Sequence, residues 1–346
     1  MGNDRGLPYG EVMGQHQLDV AESFPTLRRE GFGFIDVGAR DGIHPMFRDA
    51  APLLHAVGFE PDREEYDRLQ AQAVRPNAQR MTYVPVALGE SDQERPFYLC
   101  RSRGTSSFLT PNRTWLERFP DPERYDVVMT QSVAVRSLDG LVDDPAVSMP
   151  SSIDFLKIDA QGAALEVLKG ARRTLHRQVM GLEVEFARVY DAQPVFRDVD
   201  AFLSECGFTL FKLRRKAWVR RTCQRRPQVS AGQLIAADAL YLRDPFELPE
   251  ETTSAWKAHQ VEALVLIASL YDLNDFALEI LAHPCWSAWL EGDAVRRFIE
   301  QRSRRLDYTL RNGALATLTP AVKILRECFR GRAGMGNLYA WSVRRS

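Results

Sequence analysis

Two carboxylates in this chain stand where a short apolar run gives way to a turn. Asp36 follows Phe32-Gly33-Phe34-Ile35, and Glu60 follows Leu53-Leu54-His55-Ala56-Val57-Gly58-Phe59. A third, Asp159, ends Ile153-Asp154-Phe155-Leu156-Lys157-Ile158. In open α/β sheets, ligands bind beyond the carboxyl ends of the strands, where such acids would sit. The residues after Asp36 are Val37-Gly38-Ala39-Arg40-Asp41-Gly42. Glycine there lets the backbone turn sharply and approach a ligand without a side-chain clash.

Glu60 stands 24 residues beyond Asp36. An acid about 20 residues past a glycine loop ends the second strand of a dinucleotide-binding fold and accepts hydrogen bonds from ribose hydroxyls. A carboxylate can take two such charge-assisted bonds. The third glycine of the pyrophosphate clamp is missing. The loop therefore suits an adenosine ligand without a pyrophosphate, S-adenosylmethionine (SAM) above all, and argues against an NAD-dependent oxidoreductase.

The elements that must position these acids alternate from residue 32 to about 185. Their order points to βαβ units and a mainly parallel sheet. The run before Asp36 does not alternate polar and apolar residues, as expected of a strand covered on both faces. Helices are expected over Pro45 to Leu53, Arg63 to Val74, Ala163 to Leu175 and Val199 to Cys206. Further strands are expected over Met81 to Leu88, Ile153 to Asp159 and Val179 to Phe186. Arg95 to Cys100 and Ser132 to Val135 read as added strands flanking a long loop. Phe208 to Leu213 and Ala239 to Leu242 read as an antiparallel closing pair. From Pro245 the pattern turns helical. The expected division is an N-terminal extension, 1–30, a catalytic domain, 31–244, and a helical C-terminal domain, 245–346.

Composition narrows the function classes. The chain has 346 residues, 45% of them hydrophobic, with a formal net charge of −1. That balance gives no global attraction to nucleic acid, and no nucleic-acid partner is expected. The five cysteines, Cys100, Cys206, Cys223, Cys285 and Cys328, form no metal-ligand spacing, so no metal site is expected. Sparse, odd cysteines and an N-terminus without an apolar signal core suit the cytoplasm. Val261 to Leu270, broken only by Glu262 and Ser269, is too short to span a bilayer.

The ordered set of motifs resembles the FkbM family of SAM-dependent methyltransferases over roughly residues 32–213. The matching pieces are Asp36-Val37-Gly38-Ala39, Phe59-Glu60-Pro61, Ala87-Leu88-Gly89, Gly104-Thr105-Ser106-Ser107, Ser137-Leu138-Asp139, Phe155 to Ala163, Leu168-Lys169-Gly170-Ala171 and Leu182-Glu183-Val184. The resemblance implies a seven-stranded Rossmann-like methyltransferase fold, here with a C-terminal all-helical extension. It also implies SAM as cofactor and methyl transfer to a hydroxyl, commonly on a sugar or polyketide-type product. Two positions depart from the family. Arg40 stands where Asn is usual, and Ala164 where Glu is frequent.

Asp36 and Gly38 are expected to hold the methionine end of SAM, Glu60 the ribose hydroxyls, and Ala87 and Leu88 the adenine; Ala39, Arg40, Gly42 and Pro61 complete the expected cofactor-binding set. An alcohol is a poor nucleophile, so a general base helps its methylation. His44, Asp159, Glu183 and Glu185 are the candidates, with Lys157 placed to neutralise Asp159 or to contact an acceptor oxygen. Glu183 and Glu185 share one strand face. The basic run Lys212, Arg214, Arg215, Lys216, Arg220, Arg221, Arg225 and Arg226 is expected in the connection between the last two strands. It reads as a clamp for an anionic acceptor or as solvated surface. The resulting expectation is an O-methyltransferase acting on a saccharide or glycan precursor. The alternative is an inactive SAM-fold module whose helical tail, which could also dimerise, serves as an interaction platform.

Overall fold

The computed structural model describes residues 20–303 apart from 41, 43–44, 74–80 and 224–229. Ten strands are formed: β1 (Phe32–Val37), β2 (Leu54–Phe59), β3 (Met81–Val84), β4 (Ala87–Leu88), β5 (Gln93–Cys100), β6 (Val127–Arg136), β7 (Phe155–Ile158), β8 (Gly181–Ala187), β9 (Thr209–Trp218) and β10 (Gln233–Leu242). Seven build one sheet in the order β3-β2-β1-β7-β8-β10-β9. The first five run parallel, and β10 is antiparallel to both β8 and β9. This is the Rossmann-like sheet expected from the alternating elements.

Several boundaries differ from expectation. Met81 to Leu88 is not one strand: it breaks after Val84, and Ala87–Leu88 joins a second sheet, ordered β4-β6-β5. Pro85 stands at the break, and proline has no N–H to give a ladder. The added strands are longer than expected and pair antiparallel over Gln93 to Cys100. The turn after Asp36 leads into a 3₁₀ helix, Pro45–Leu53, with Pro52 inside it. The helix after Asp159 is two pieces, Ala164–Gly170 and Arg172–Arg177. Gly170 lies so close to β4 that a Cβ there would sit 1.9 Å from the Gly89 carbonyl oxygen. The closing pair extends over ten residues in each strand.

All six residues of β1 are buried, as expected for a strand covered on both faces. The helix Ala258–Leu270 is buried along nearly its whole length, including Glu262, which is 0% exposed. Glu262 accepts hydrogen bonds from the amides of Thr26 and Leu27, at the start of the helix Pro25–Glu30. A carboxylate suits the unbonded amides and positive dipole of a helix N-terminus. Tyr271, just past the long helix, packs its ring on Phe47 and Phe155, so this segment covers one face of the sheet. The described residues up to Val295 form one compact unit. No helix among the described residues is long and apolar enough to cross a membrane.

Candidate active site

A cavity of about 280 Å³ opens at the carboxyl ends of β1, β2 and β7. Gly38, Arg40, Glu60, Pro61, Ala87, Leu88, Lys157 and Asp159 line it. Of the other residues expected at the cofactor, Asp36, Ala39 and Gly42 lie in the supporting strand and turn rather than on the wall. His44 lies outside the described residues.

Backbone geometry fixes the rim. Gly38 has φ +77°, and a Cβ there would sit 2.2 Å from the Asp159 carbonyl oxygen. Only glycine lets β1 turn this close to β7. The amides of Gly38 and Ala39 both donate to the Phe59 carbonyl, at 3.0 and 3.2 Å. They tie the turn to β2 and are not turned toward a ligand carboxylate, as the assignment of the loop to the methionine end would have them. Gly42, φ +78°, donates to the Ala39 carbonyl.

The parallel register puts Asp36, Lys157 and Glu183 side by side on one face. Asp36 is 1% exposed, and its Oδ1 accepts from Lys157 Nζ at 2.9 Å. Its Oδ2 is buried with no hydrogen-bond partner among the described residues. Burial pushes the Asp36 carboxyl up to about 6 against the pull of Lys157. Burial alone would lower the Lys157 ammonium, but Asp36, Asp159 and Glu183 together hold it above its ordinary value. Glu183 is withdrawn from the cavity and buried; it accepts from the Tyr271 hydroxyl at 3.0 Å, and burial raises its carboxyl.

Two residues further along each strand, Asp159 and Glu185 are joined by one amide. Gln161 Nε2 donates to Asp159 Oδ1 at 2.6 Å and to Glu185 Oε2 at 3.0 Å. Gln161 has φ +44° and is held from outside. Its carbonyl accepts from Ser107 Oγ at 2.6 Å, and its Oε1 lies 3.1 Å from the Tyr190 hydroxyl, which also bonds the Thr105 carbonyl at 2.8 Å. The Gly104-to-Ser107 motif thus forms a wall of the site. Burial, then the neighbouring Asp159, push the Glu185 carboxyl up to about 8.

Glu60 is 6% exposed and lines the cavity, with Oε1 accepting from the Asp62 amide at 2.8 Å. Burial raises its carboxyl to about 7. Arg40, the departure from the family pattern, faces Asp62 at 3.9 Å and Glu65 at 3.5 Å. Ala164 is packed in the core, and the carboxylate of that helical turn is Glu166, which pairs with Arg95. Among the described residues no cluster of three or more His, Cys, Asp or Glu is arranged to hold a metal.

The basic run is placed differently from expectation. Lys212 to Lys216 lie on β9, not in a loop. Alternation turns Lys212, Arg214 and Lys216 to one face, where they meet the Tyr271 carbonyl, Asp238, and Glu185 with Asp238. Much of that charge is matched internally. Arg220 stacks 4.3 Å from the Phe119 ring, while Arg225 and Arg226 lie outside the described residues.

Gln161, Tyr190, Asp238, Tyr271 and the cavity-lining Arg103 were not singled out by sequence. Gln161 sat in view between Asp159 and Gly162. Tyr271 is some 90 residues from Glu183, and no local pattern connects them.

Residues 36–210 match the profile of the methyltransferase FkbM domain. The chain belongs to the FkbM methyltransferase family. S-adenosylmethionine is the cofactor that membership of this methyltransferase family implies. The cavity-facing Glu60, with Oε1 held by the Asp62 amide, fits that group.

Among solved structures, the chain is similar to an FkbM methyltransferase from Methylobacillus flagellatus KT, at 17% identity and a TM-score of 0.34. That match covers 62% of this chain and 44% of the other, so this chain spans less than half of that protein's length. It is also similar to magnesium protoporphyrin IX methyltransferase from Synechocystis PCC 6803 with SAM bound, at 10% identity and TM-score 0.30, covering 67% and 87% of the two chains. A SAM-dependent methyltransferase from Methanosarcina mazei matches at 12% identity and TM-score 0.31, covering 62% and 93%. No curated protein matches the chain.

Proposed function

We propose that this FkbM-family protein methylates a hydroxyl oxygen of a saccharide or glycan precursor. The observation that carries the reading is the pair Asp159 and Glu185, joined by Gln161 at the carboxyl ends of neighbouring strands. A hydroxyl must lose its proton as its oxygen is methylated, and a half-buried carboxylate pair is suited to take it. Carboxylates also suit the hydroxyls of a sugar, which donate to them.

SAM supplies an electrophilic methyl group on a sulfonium sulfur. The chain's own residues bind and align. Glu60 Oε2 is placed for the ribose hydroxyls, since Oε1 is held by the Asp62 amide. Leu88, Phe97 and Phe108 give an apolar wall for the adenine, with the two rings 5.0 Å apart. Arg40 and Arg103, which already face Asp62, Glu64 and Glu65, are the cations on the cavity wall beside the ligand's carboxylate. Lys157 offsets the charge of Asp36 and Asp159. Glu185 or Asp159 receives the acceptor proton, and Gln161 fixes both for it. Holding the reacting atoms in line supplies much of the acceleration. Glu183, held by Tyr271, has a positioning role.

A retired fold would have no use for Glu60 and Asp159 facing one cavity, which speaks against the inactive-module alternative. The test is calorimetry with SAM and S-adenosylhomocysteine, followed by transfer of a labelled methyl group to a panel of glycans. Binding of both with label on a saccharide oxygen is expected. Label on nitrogen or carbon acceptors only would sink the proposal.

A further inference from the structure

A second cavity, of about 680 Å³, lies at the amino ends of β7 and β8, the opposite end of these strands from the first. Its walls come from several parts of the chain. Glu30 ends the first helices, Ser152 and Met180 precede β7 and β8, and Lys257 and His259 open the helix Ala258–Leu270. Arg243, which follows β10, and Arg177 complete it.

The charges there do not balance. His259 sits between two carboxylates, with Nε2 2.8 Å from Asp154 Oδ1 and Nδ1 3.1 Å from Glu30 Oε2. Asp154 is 0% exposed and also accepts from the Gly33 amide. Both acids are thereby engaged. Arg177, Lys257 and Arg243 have no carboxylate partner among the described residues. Arg243 is 5% exposed, and its guanidinium donates only to the carbonyls of Val179 and Leu175 among described groups. A buried cation without a counter-charge is costly. Burial pushes the Arg243 guanidinium down to about 10. The volume falls within the range of small-ligand pockets, about 300–1,000 Å³.

We propose that this cavity is a second ligand site, for a small molecule carrying a phosphate group. Arginine forks and a lysine suit phosphate oxygens, and a dianion would neutralise the excess positive charge. The ligand would bridge the family domain and the helices that follow it, without contact with the methyl-donor cavity.

The test is calorimetric titration of the full chain with inorganic phosphate and, separately, with ribose 5-phosphate, each with and without S-adenosylhomocysteine. Saturable one-to-one binding of either probe, unaffected by S-adenosylhomocysteine, is expected. Phosphate alone binding would mark a free-anion site, and preference for ribose 5-phosphate a phosphate-ester site. Arg177→Glu with Lys257→Glu replaces two exposed side chains, so folding is spared. The double variant should weaken binding at least about tenfold, the scale of one lost charge-assisted bond. Its affinity for S-adenosylhomocysteine should not change. Absence of saturable binding to both probes, or equal binding by the double variant, would overturn the proposal.

Discussion

Lys157 Nζ lies 2.9 Å from Asp36 Oδ1 across two neighbouring parallel strands, and the other oxygen of Asp36 is left without a partner. The pair is in direct register, so the sheet itself sets the contact. Removing one member of a buried ion pair costs about 3–5 kcal/mol, because the other is left uncompensated. Lys157→Met should therefore destabilise the protein by that order. The sign with pH follows from Asp36. Its folded carboxyl is raised to about 6, and without the lysine it rises further, so protonation relieves the strain. The loss, read by urea unfolding, should be smaller below pH 6 than above it. A loss that grew toward acid would refute the assignment.

Glu185 is the carboxyl for which the structure gives the plainest pH test. A base must be ionised, and Glu185 is raised to about 8, so it is mostly protonated at neutral pH. If it takes the acceptor proton, kcat/KM should climb with pH and level off near pH 8. Glu185→Gln should abolish that limb and slow single turnover by about 10²–10⁴. An unaltered profile in the variant would pass the role to Asp159. Stability carries the opposite trend. The folded carboxyl holds its proton above the unfolded value of 4.5, so its contribution is lost as pH rises from 4.5 toward 8. The variant should flatten that part of the curve.

Glu60→Ala should weaken SAM binding by about 1–3 kcal/mol, the scale for hydrogen bonds to a charged group. Calorimetry on the folded variant measures it directly. Equal affinity in variant and parent would remove Glu60 from the ribose site.

Tyr271 donates to a carboxylate that is otherwise buried under the helices. Tyr271→Phe keeps the ring packing on Phe47 and Phe155 but deletes the donor. The expected cost is about 1–3 kcal/mol, the penalty for a buried acceptor left unsatisfied. Chemical denaturation reads it, and Glu183→Gln in the same background should recover part of the loss, since a neutral amide is cheaper to bury unpaired. No recovery would place the effect in packing instead.

By itself the sequence determined the parallel sheet, the acids at its strand ends and the family. Those follow from local signals: apolar runs of strand length, glycines at tight turns, and the interval between Asp36 and Glu60. Tertiary structure alone decided which acids meet. Asp159 and Glu185 become a pair because β7 and β8 are neighbours in register and Gln161 turns back between them. Strand register likewise turned Arg214 and Lys216 from an expected loop onto a strand face matched to Asp238 and Glu185, because alternation sorts side chains that look contiguous in sequence. The break at Pro85 and the reach of Tyr271 to Glu183 were hidden for related reasons. Local patterns report how a segment folds, whereas which segments then lie within 3 Å of each other depends on packing across the whole sheet.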